Sequence, residues 1–248
     1  MRQLIRRKSS GFTLIELITV IVILGVLAAA TSTFIKFGTQ IYSETTARDQ
    51  LVSSARFAIE RLNREVRSAL PNSSRLTNSN QCLEFTPIIE STVYTDIPVI
   101  PEIARDKINV IRFDEAFDSN WSAIVYPLVP DDVYPIIPSN SDKVHGVDSI
   151  DTTGDEWVIT LDDDVVFAED SPTKRIYFIN GPVEYCLLNN TLIRNGILMA
   201  EDIHNTSLPF EVLAATLQRN AMVQIHFQFE KNSEQVTFNN EVQVLNVP

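Results

Sequence analysis

The stretch that decides the fold is FTLIELITVIVILGVLAAATSTFI, which runs from Phe12 to Ile35. Among its first 19 residues only three are polar: Thr13, Glu16 and Thr19. A helix of this length and composition can span a bilayer. The preceding segment, MRQLIRRKSSG, carries four cations and no anion. Because this basic flank stands on one side only, it predicts an N-terminus in the cytoplasm and a main body beyond the membrane.

Three kinds of N-terminal segment fit this pattern. An ordinary secretory signal would be cut at an A-x-A site such as Ala28–Ala30, and a permanent anchor would not be cut. A class III prepilin leader would instead be cut before the apolar run. Glu16 favours the prepilin leader, because a carboxylate near one end of an apolar span should have a partner. Such a charge costs about 2–3 kcal/mol at mid-membrane and less near the interface. Cleavage after Gly11 would supply that partner as the free α-amino group of Phe12.

The residues from Lys8 to Glu16, KSSGFTLIE, resemble the processing site of type IV pilins and type II secretion pseudopilins. In that family a short basic leader ends in Gly, and a Glu stands at the fifth position after the cut. The resemblance implies that a prepilin peptidase cleaves between Gly11 and Phe12 and methylates the nitrogen of Phe12. It also implies that Glu16 pairs with the Phe12 amine of a neighbouring subunit, and that the chain is a substrate of enzymes rather than an enzyme.

The same resemblance implies the location and partners of the chain. Before assembly it would cross the inner membrane once, with its C-terminal domain in the periplasm, and it would later stand in a pilus at the cell surface. The implied partners are the prepilin peptidase, other minor and major pilins, the inner-membrane assembly platform and the inner membrane itself. The resemblance implies no cofactor.

Beyond Lys36, apolar residues recur every three or four positions and predict that the helix continues as an amphipathic element to Leu70, where Pro71 follows. The members of this apolar stripe are Leu51, Ala55, Ile59, Leu62, Val66 and Ala69. The opposite face carries charged residues, among them Glu60, Arg64 and Glu65. Because the stripe is apolar, it requires a globular partner on which to pack.

From Cys82 onward the apolar period shifts toward two, which predicts strands. The predicted strands are 82–89, 109–113, 157–161, 175–179, 183–188, 191–194, 223–229 and 236–238. The proline-rich stretch 97–141 is predicted to be an extended, irregular connection. The fold class is therefore α+β, with a long N-terminal helix packed on a mainly antiparallel sheet domain, as the pilin resemblance implies.

We divide the chain accordingly into four segments. A cleaved leader occupies residues 1–11, and a transmembrane and assembly helix occupies residues 12–36. The periplasmic half of the helix follows at 37–70, and a β-rich globular domain occupies 71–248.

Charge and cysteine content limit the function further. Without its first eleven residues the chain carries 16 basic and 32 acidic residues, a net charge of −16, which argues against a nucleic-acid-binding surface. The two cysteines are Cys82 and Cys186. If the body is exported, a disulfide between them is the simplest expectation, and closing a loop of about 100 residues would stabilise by roughly 4–5 kcal/mol. Two separate buried thiols are the alternative.

Motifs for metal binding and catalysis are weak or absent in the sequence. Asp151–Glu156 and Asp162–Asp164 offer oxygen ligands for Ca²⁺, but EF-hand spacing is missing and short acidic runs between strands are typical of solvated turns. The three histidines, His145, His204 and His226, lack zinc-ligand spacing. The sequence contains no G-x-S-x-G motif and no P-loop. We therefore predict no metal site and no catalytic residue.

Several later segments resemble the large minor pilins of the PilW and J-type pseudopilin group, and within it the O-type minor subunits of mannose-sensitive haemagglutinin (MSHA) pili. They are residues 58–67, 82–85, 181–186 and 240–248. The resemblance implies a minor subunit near the pilus tip that primes assembly. Two other interpretations stay open: a J-type minor pseudopilin of a type II secretion system, and a membrane-anchored periplasmic binding protein.

Overall fold

The computed structural model describes residues 11–114, 118, 120–134, 143–204, 208–216, 219–231 and 234–244. The chain forms two compact units, residues 1–50 and 51–248. One long helix, α1 (Leu14–Arg67), contributes to both units. It begins two residues after Phe12 and ends three residues before Leu70. The predicted leader falls almost wholly outside the described residues.

Strands and one further short helix follow α1. They are β1 (Arg75–Thr77), β2 (Cys82–Phe85), β3 (Ile88–Asp96), β4 (Arg105–Val110), β5 (Ser122–Val125), α2 (Pro130–Val133), β6 (Val144–Asp151), β7 (Trp157–Val165), β8 (Arg175–Ile179), β9 (Val183–Leu188), β10 (Thr191–Arg194), β11 (Ile197–Ala200), β12 (Phe210–Leu213), β13 (Ala221–Lys231) and β14 (Glu234–Val244). The strands β8, β9 and β10 have the predicted bounds.

Two predictions about local structure are wrong. The predicted strand 82–89 is two strands, because Thr86 and Pro87 separate β2 from β3 and proline has no N–H to donate to a ladder. The stretch 97–141 is not one irregular connection, because it contains β4, β5 and α2. Both of these strands are short, and each pairs with two others: β4 with β3 and β7, and β5 with β6 and β8.

The second half of α1 packs on two antiparallel sheets of the second unit. One sheet has five strands in the order β1-β2-β9-β10-β11, and the other has three in the order β12-β13-β14. The six predicted stripe residues are all buried, five on α1 and Ala69 just beyond its end: Leu51, Ala55, Ile59, Leu62, Val66 and Ala69. They share one core with Phe85, Tyr185 and Phe227. The predicted helix packed on an antiparallel sheet domain is thus confirmed.

The β-rich body differs from the expected single sheet. The strands between Ile88 and Ile179 form a closed six-stranded barrel in the order β3-β4-β7-β6-β5-β8, with its own core around Trp121, Phe167 and Phe178. We call residues 88–179 the inserted barrel, because they interrupt the five-stranded sheet between β2 and β9. The sequence indicated β7 and β8 as strands, but barrel closure depends on which strands pair.

The two ends of the inserted barrel lie side by side. Phe85 pairs with Val183 in the sheet, and Ile88 pairs with Ile179 in the barrel. A small third core joins the barrel to the end of α1 and includes Leu70. The barrel is therefore an insertion whose entry and exit strands are hydrogen-bonded neighbours.

Candidate functional site

The start of α1 carries the predicted processing and assembly residues. Thr13 precedes the helix, and its Oγ1 accepts a hydrogen bond from the backbone nitrogen of Glu16 at 3.4 Å. Glu16 lies in the first turn, where unpaired backbone N–H groups favour a carboxylate. The spacing Thr-x-x-Glu is that of a capping box. Local structure thus supplies one reason for a glutamate at this position, independent of any partner subunit.

The first half of α1 exposes an apolar surface that is costly in water. Each residue from 11 to 45 is exposed, and the Phe12 side chain is 73% exposed. Apolar surface of this kind is destabilising in water by about 25 cal/mol per Å². By length and composition α1 can cross a membrane. A lipid bilayer or the helices of other subunits would both remove this surface from water.

One comparison with known proteins identifies a motif in the first part of the chain, which includes the start of α1. Residues 6–32 match the family model described as a prokaryotic N-terminal methylation motif. The motif indicates a type IV pilin-like prepilin. No curated protein and no solved structure matches the chain significantly.

A prepilin of this kind is processed by prepilin peptidase and assembles with other pilins, and the motif is typical of structural proteins rather than enzymes. The apolar start of α1 is consistent with a membrane-anchored pilin. The match spans 27 residues of 248 and therefore leaves the type of pilus open.

The two cysteines lie on the strands that flank the inserted barrel, at the end of the β2–β9 pair farther from it. Cys82 on β2 stands directly opposite Cys186 on β9, with Cα atoms 4.1 Å apart and sulfurs 2.08 Å apart. Glu184 lies beside them, and in the described part of the chain these three form the one cluster of potential metal ligands. With the sulfurs bonded to each other, neither is a thiolate that could bind a metal.

Glu65 is a charged residue whose role sequence reasoning missed. Glu65 belongs to the charged residues opposite the predicted stripe, yet its side chain is only 17% exposed. Its Oε1 accepts a hydrogen bond from Arg61 at 2.9 Å, while its Oε2 accepts from Arg194 at 2.8 Å and from the Tyr185 hydroxyl at 3.0 Å. Glu65 thereby ties α1 to β9 and β10. The sequence signal for this partial burial is the position of Glu65 between the stripe residues Leu62 and Val66.

The electrostatics of this cluster follow from its partial burial. Burial raises the pKa of the Glu65 carboxyl, but hydrogen bonds from Arg194, Arg61 and Tyr185 more than offset it, so the pKa lies below its ordinary value. Burial and the adjacent Glu65 carboxylate raise the pKa of Tyr185 well above its ordinary value. At neutral pH Glu65 is thus an anion shared by two arginines and a neutral phenol.

Among the residues that the structure describes, the acidic runs and histidines considered as metal ligands do not form a cluster of potential ligands. Asp151 accepts hydrogen bonds from the side chain and the backbone nitrogen of Thr153, which lower its pKa, and Asp155 pairs with Arg112. The run 151–156 therefore forms a hydrogen-bonded turn at the end of β6. The histidines lie apart in the fold: His145 on β6, His204 between β11 and β12, and His226 on β13.

Proposed function

We propose that this prepilin is a minor, tip-proximal subunit that primes assembly of an MSHA-like type IV pilus. The observation that carries the proposal is the exposed apolar start of α1, which follows Gly11 and contains Glu16 within the matched methylation motif. The inserted barrel favours a position near the tip. It adds residues 88–179 to a helix-and-sheet body, and such bulk is accommodated more easily where a subunit has fewer neighbours.

The proposed maturation begins with cleavage between Gly11 and Phe12. Prepilin peptidase would then methylate the nitrogen of Phe12, and residues 12–36 would hold the protein in the inner membrane. Residues 37–248 would lie in the periplasm until assembly. In the filament, Glu16 would pair with the Phe12 amine of a neighbouring subunit, because a charge in an apolar environment is stabilised by an opposite charge.

The proposed location also gives Cys82 and Cys186 a role. Disulfides persist in oxidising compartments such as the periplasm. Their directly opposed positions on β2 and β9 support a bridge across the two strands that flank the inserted barrel.

Determination of the mature N-terminus tests the maturation. The chain is produced in its native host, and its N-terminal residue and intact mass are measured. We expect N-methyl-Phe12 as the first residue, and the uncleaved chain in a strain without prepilin peptidase. A mature chain that begins at Thr31, after the A-x-A site, would instead identify an ordinary secretory signal and end the pilin proposal.

A gene deletion separates a pilus subunit from a J-type pseudopilin, which shares the N-terminal features. We expect the deletion strain to lose surface pili and retain secretion of folded exoproteins. Loss of exoprotein secretion with normal piliation would assign the chain to a type II secretion system. Normal piliation together with normal secretion would favour the membrane-anchored binding protein.

A further inference from the structure

The outward face of α1 in the second unit is a mainly basic surface with one aromatic residue near its N-terminal end. Its members lie at helical spacing and are all exposed: Arg56, Phe57, Glu60, Arg64 and Arg67. We call these five residues the basic helix face. Phe57 is 60% exposed and lies among these charged residues. Among the described residues, its three arginines form no ion pair.

The inserted barrel carries most of the negative charge of the protein. Residues 88–179 contain 19 acidic and 6 basic residues, a net charge of −13, whereas the rest of the chain after Gly11 has a net charge of only −3. Exposed aspartates concentrate on two paired strands, β6 and β7. We call these five residues the acidic barrel face: Asp148, Asp151, Asp162, Asp163 and Asp164. Within the described part of the chain none of the five is ion-paired.

One chain thus presents two surfaces of opposite charge, one on a helix and one on a barrel. When one surface of a molecule binds a different surface of an identical molecule, the contact is heterologous. In an open chain of such contacts, each of the two end copies has one surface unoccupied. Opposite charges mainly determine which partner and orientation are selected, whereas an aromatic side chain such as Phe57 supplies apolar contact area.

We propose that the basic helix face of one copy docks on the acidic barrel face of a second copy. The inference rests on the proposed function and extends it, since it places at least two copies of this subunit in the priming complex. The contact is screened by salt, because all of its charged groups are exposed.

Reciprocal charge reversal tests the docking in full-length protein. Two copies with different affinity tags are co-expressed in one membrane and solubilised in detergent, and capture of one copy by the other is measured. The helix variant carries Arg64→Glu and Arg67→Glu, and the barrel variant carries Asp163→Lys and Asp164→Lys. The control variant carries Glu201→Lys and Glu211→Lys, which change the net charge as the barrel variant does but lie on exposed positions elsewhere.

Capture should fall about tenfold when the helix variant is paired with itself or the barrel variant with itself, because each contact then joins like charges. Pairing the helix variant with the barrel variant should restore capture, since every helix-to-barrel contact again joins opposite charges. The control variant should behave as the wild type. Undiminished self-capture of either variant, a lack of recovery in the mixed pair, or an equal loss in the control would each overturn the proposal.

The same samples separate this proposal from the proposed function. The intact mass of the captured chain reports whether cleavage occurred after Gly11, and resistance to limited proteolysis reports that each variant is folded. A chain that begins at Phe12 but does not self-associate would refute the docking alone. A chain cleaved elsewhere would refute the pilin function, whatever its capture.

Discussion

Glu16 combines two separable roles at a single position. Its backbone nitrogen takes part in the cap of α1 with Thr13, and its carboxylate is the proposed partner of a neighbouring Phe12 amine. A helix cap contributes about 1 kcal/mol to the stability of a helix, and a long helix such as α1 still forms without it. An unpaired amine or carboxylate in an apolar environment costs more, so we expect the charge of Glu16 to matter for assembly rather than for helix formation.

We expect Glu16→Ala to leave cleavage after Gly11 intact and to reduce incorporation into pili strongly. Glu16→Gln should behave in the same way, because it keeps the shape and removes the charge. The measurements are the mass of the cell-associated chain and its amount in sheared pili. Thr19→Ala, on the same exposed stretch of α1, serves as control and should assemble normally. Normal incorporation of the glutamine variant would refute charge pairing.

Replacement of Glu65 removes an anion that α1 shares with the sheet. Glu65→Gln should lower the free energy of unfolding by about 1–3 kcal/mol at neutral pH, because Arg194 and Arg61 lose their charged acceptor. The pKa of Glu65 is lower in the folded state than in the unfolded state, where it is about 4.3. The stabilisation that its carboxylate contributes is therefore present above the unfolded-state pKa and is lost as the pH falls through the folded-state pKa.

The measurement is denaturant unfolding of the full chain in detergent at pH 7 and below pH 4. The difference between wild type and Glu65→Gln should be largest at pH 7 and shrink in acid. Glu60→Gln, an exposed change on the same helix, should show little difference at either pH. A pH-independent difference would mean that Glu65 acts through packing rather than charge.

At the scale of elements, the pairing of β2 with β9 connects the helix-bearing sheet to the inserted barrel. Cys82 and Cys186 stand opposite each other in this pair and are 104 residues apart in sequence. A bridge between them would close the loop that contains the whole barrel. It would therefore restrict the unfolded chain over more than a third of its length.

We expect the double variant Cys82→Ser, Cys186→Ser to lose roughly 4–5 kcal/mol of unfolding free energy, the value for a loop of about 100 residues. Reduced wild-type protein should lose a similar amount and serves as the matched control. Thiol alkylation under denaturing, non-reducing conditions followed by mass measurement reports the bridge directly. Alkylation of both cysteines in periplasmic material would contradict the proposed disulfide.

At the scale of the whole molecule, the inserted barrel is a separate addition to a helix-and-sheet body. Its core residues differ from those under α1, and its entry and exit strands are adjacent. Insertions with adjacent ends can be removed with little disturbance of the host body.

Replacement of residues 88–179 by a short glycine-rich linker should leave the sheet folded and the cysteines protected, because Phe85 and Val183 already pair. Limited proteolysis and alkylation measure this outcome, and cleavage after Gly11 should be unaffected. The shortened chain with Val223→Asp, a charge in the helix-and-sheet core, provides the unfolded reference. Protease sensitivity equal to that reference would show that the body depends on the barrel.

Local patterns in the sequence determined the features that depend on neighbouring residues. The apolar run after Gly11 predicted a helix, and the three- and four-residue spacing of the stripe from Leu51 to Ala69 predicted its buried face. The two-residue period of β13 likewise predicted a strand with alternating burial. The processing motif is contiguous for the same reason, and the family comparison recognised it over residues 6–32.

Tertiary structure alone decided the features that depend on distant pairing. Barrel closure joins β3 to β8, and a period of two does not specify which strands pair. Likewise, Glu65 is buried because it contacts Tyr185 and Arg194, which lie on strands more than 100 residues later in the sequence. The sequence by itself thus determined a helix with an exposed apolar start and a β-rich body, while long-range hydrogen bonding decided that this body is two sheets with an acidic barrel inserted between β2 and β9.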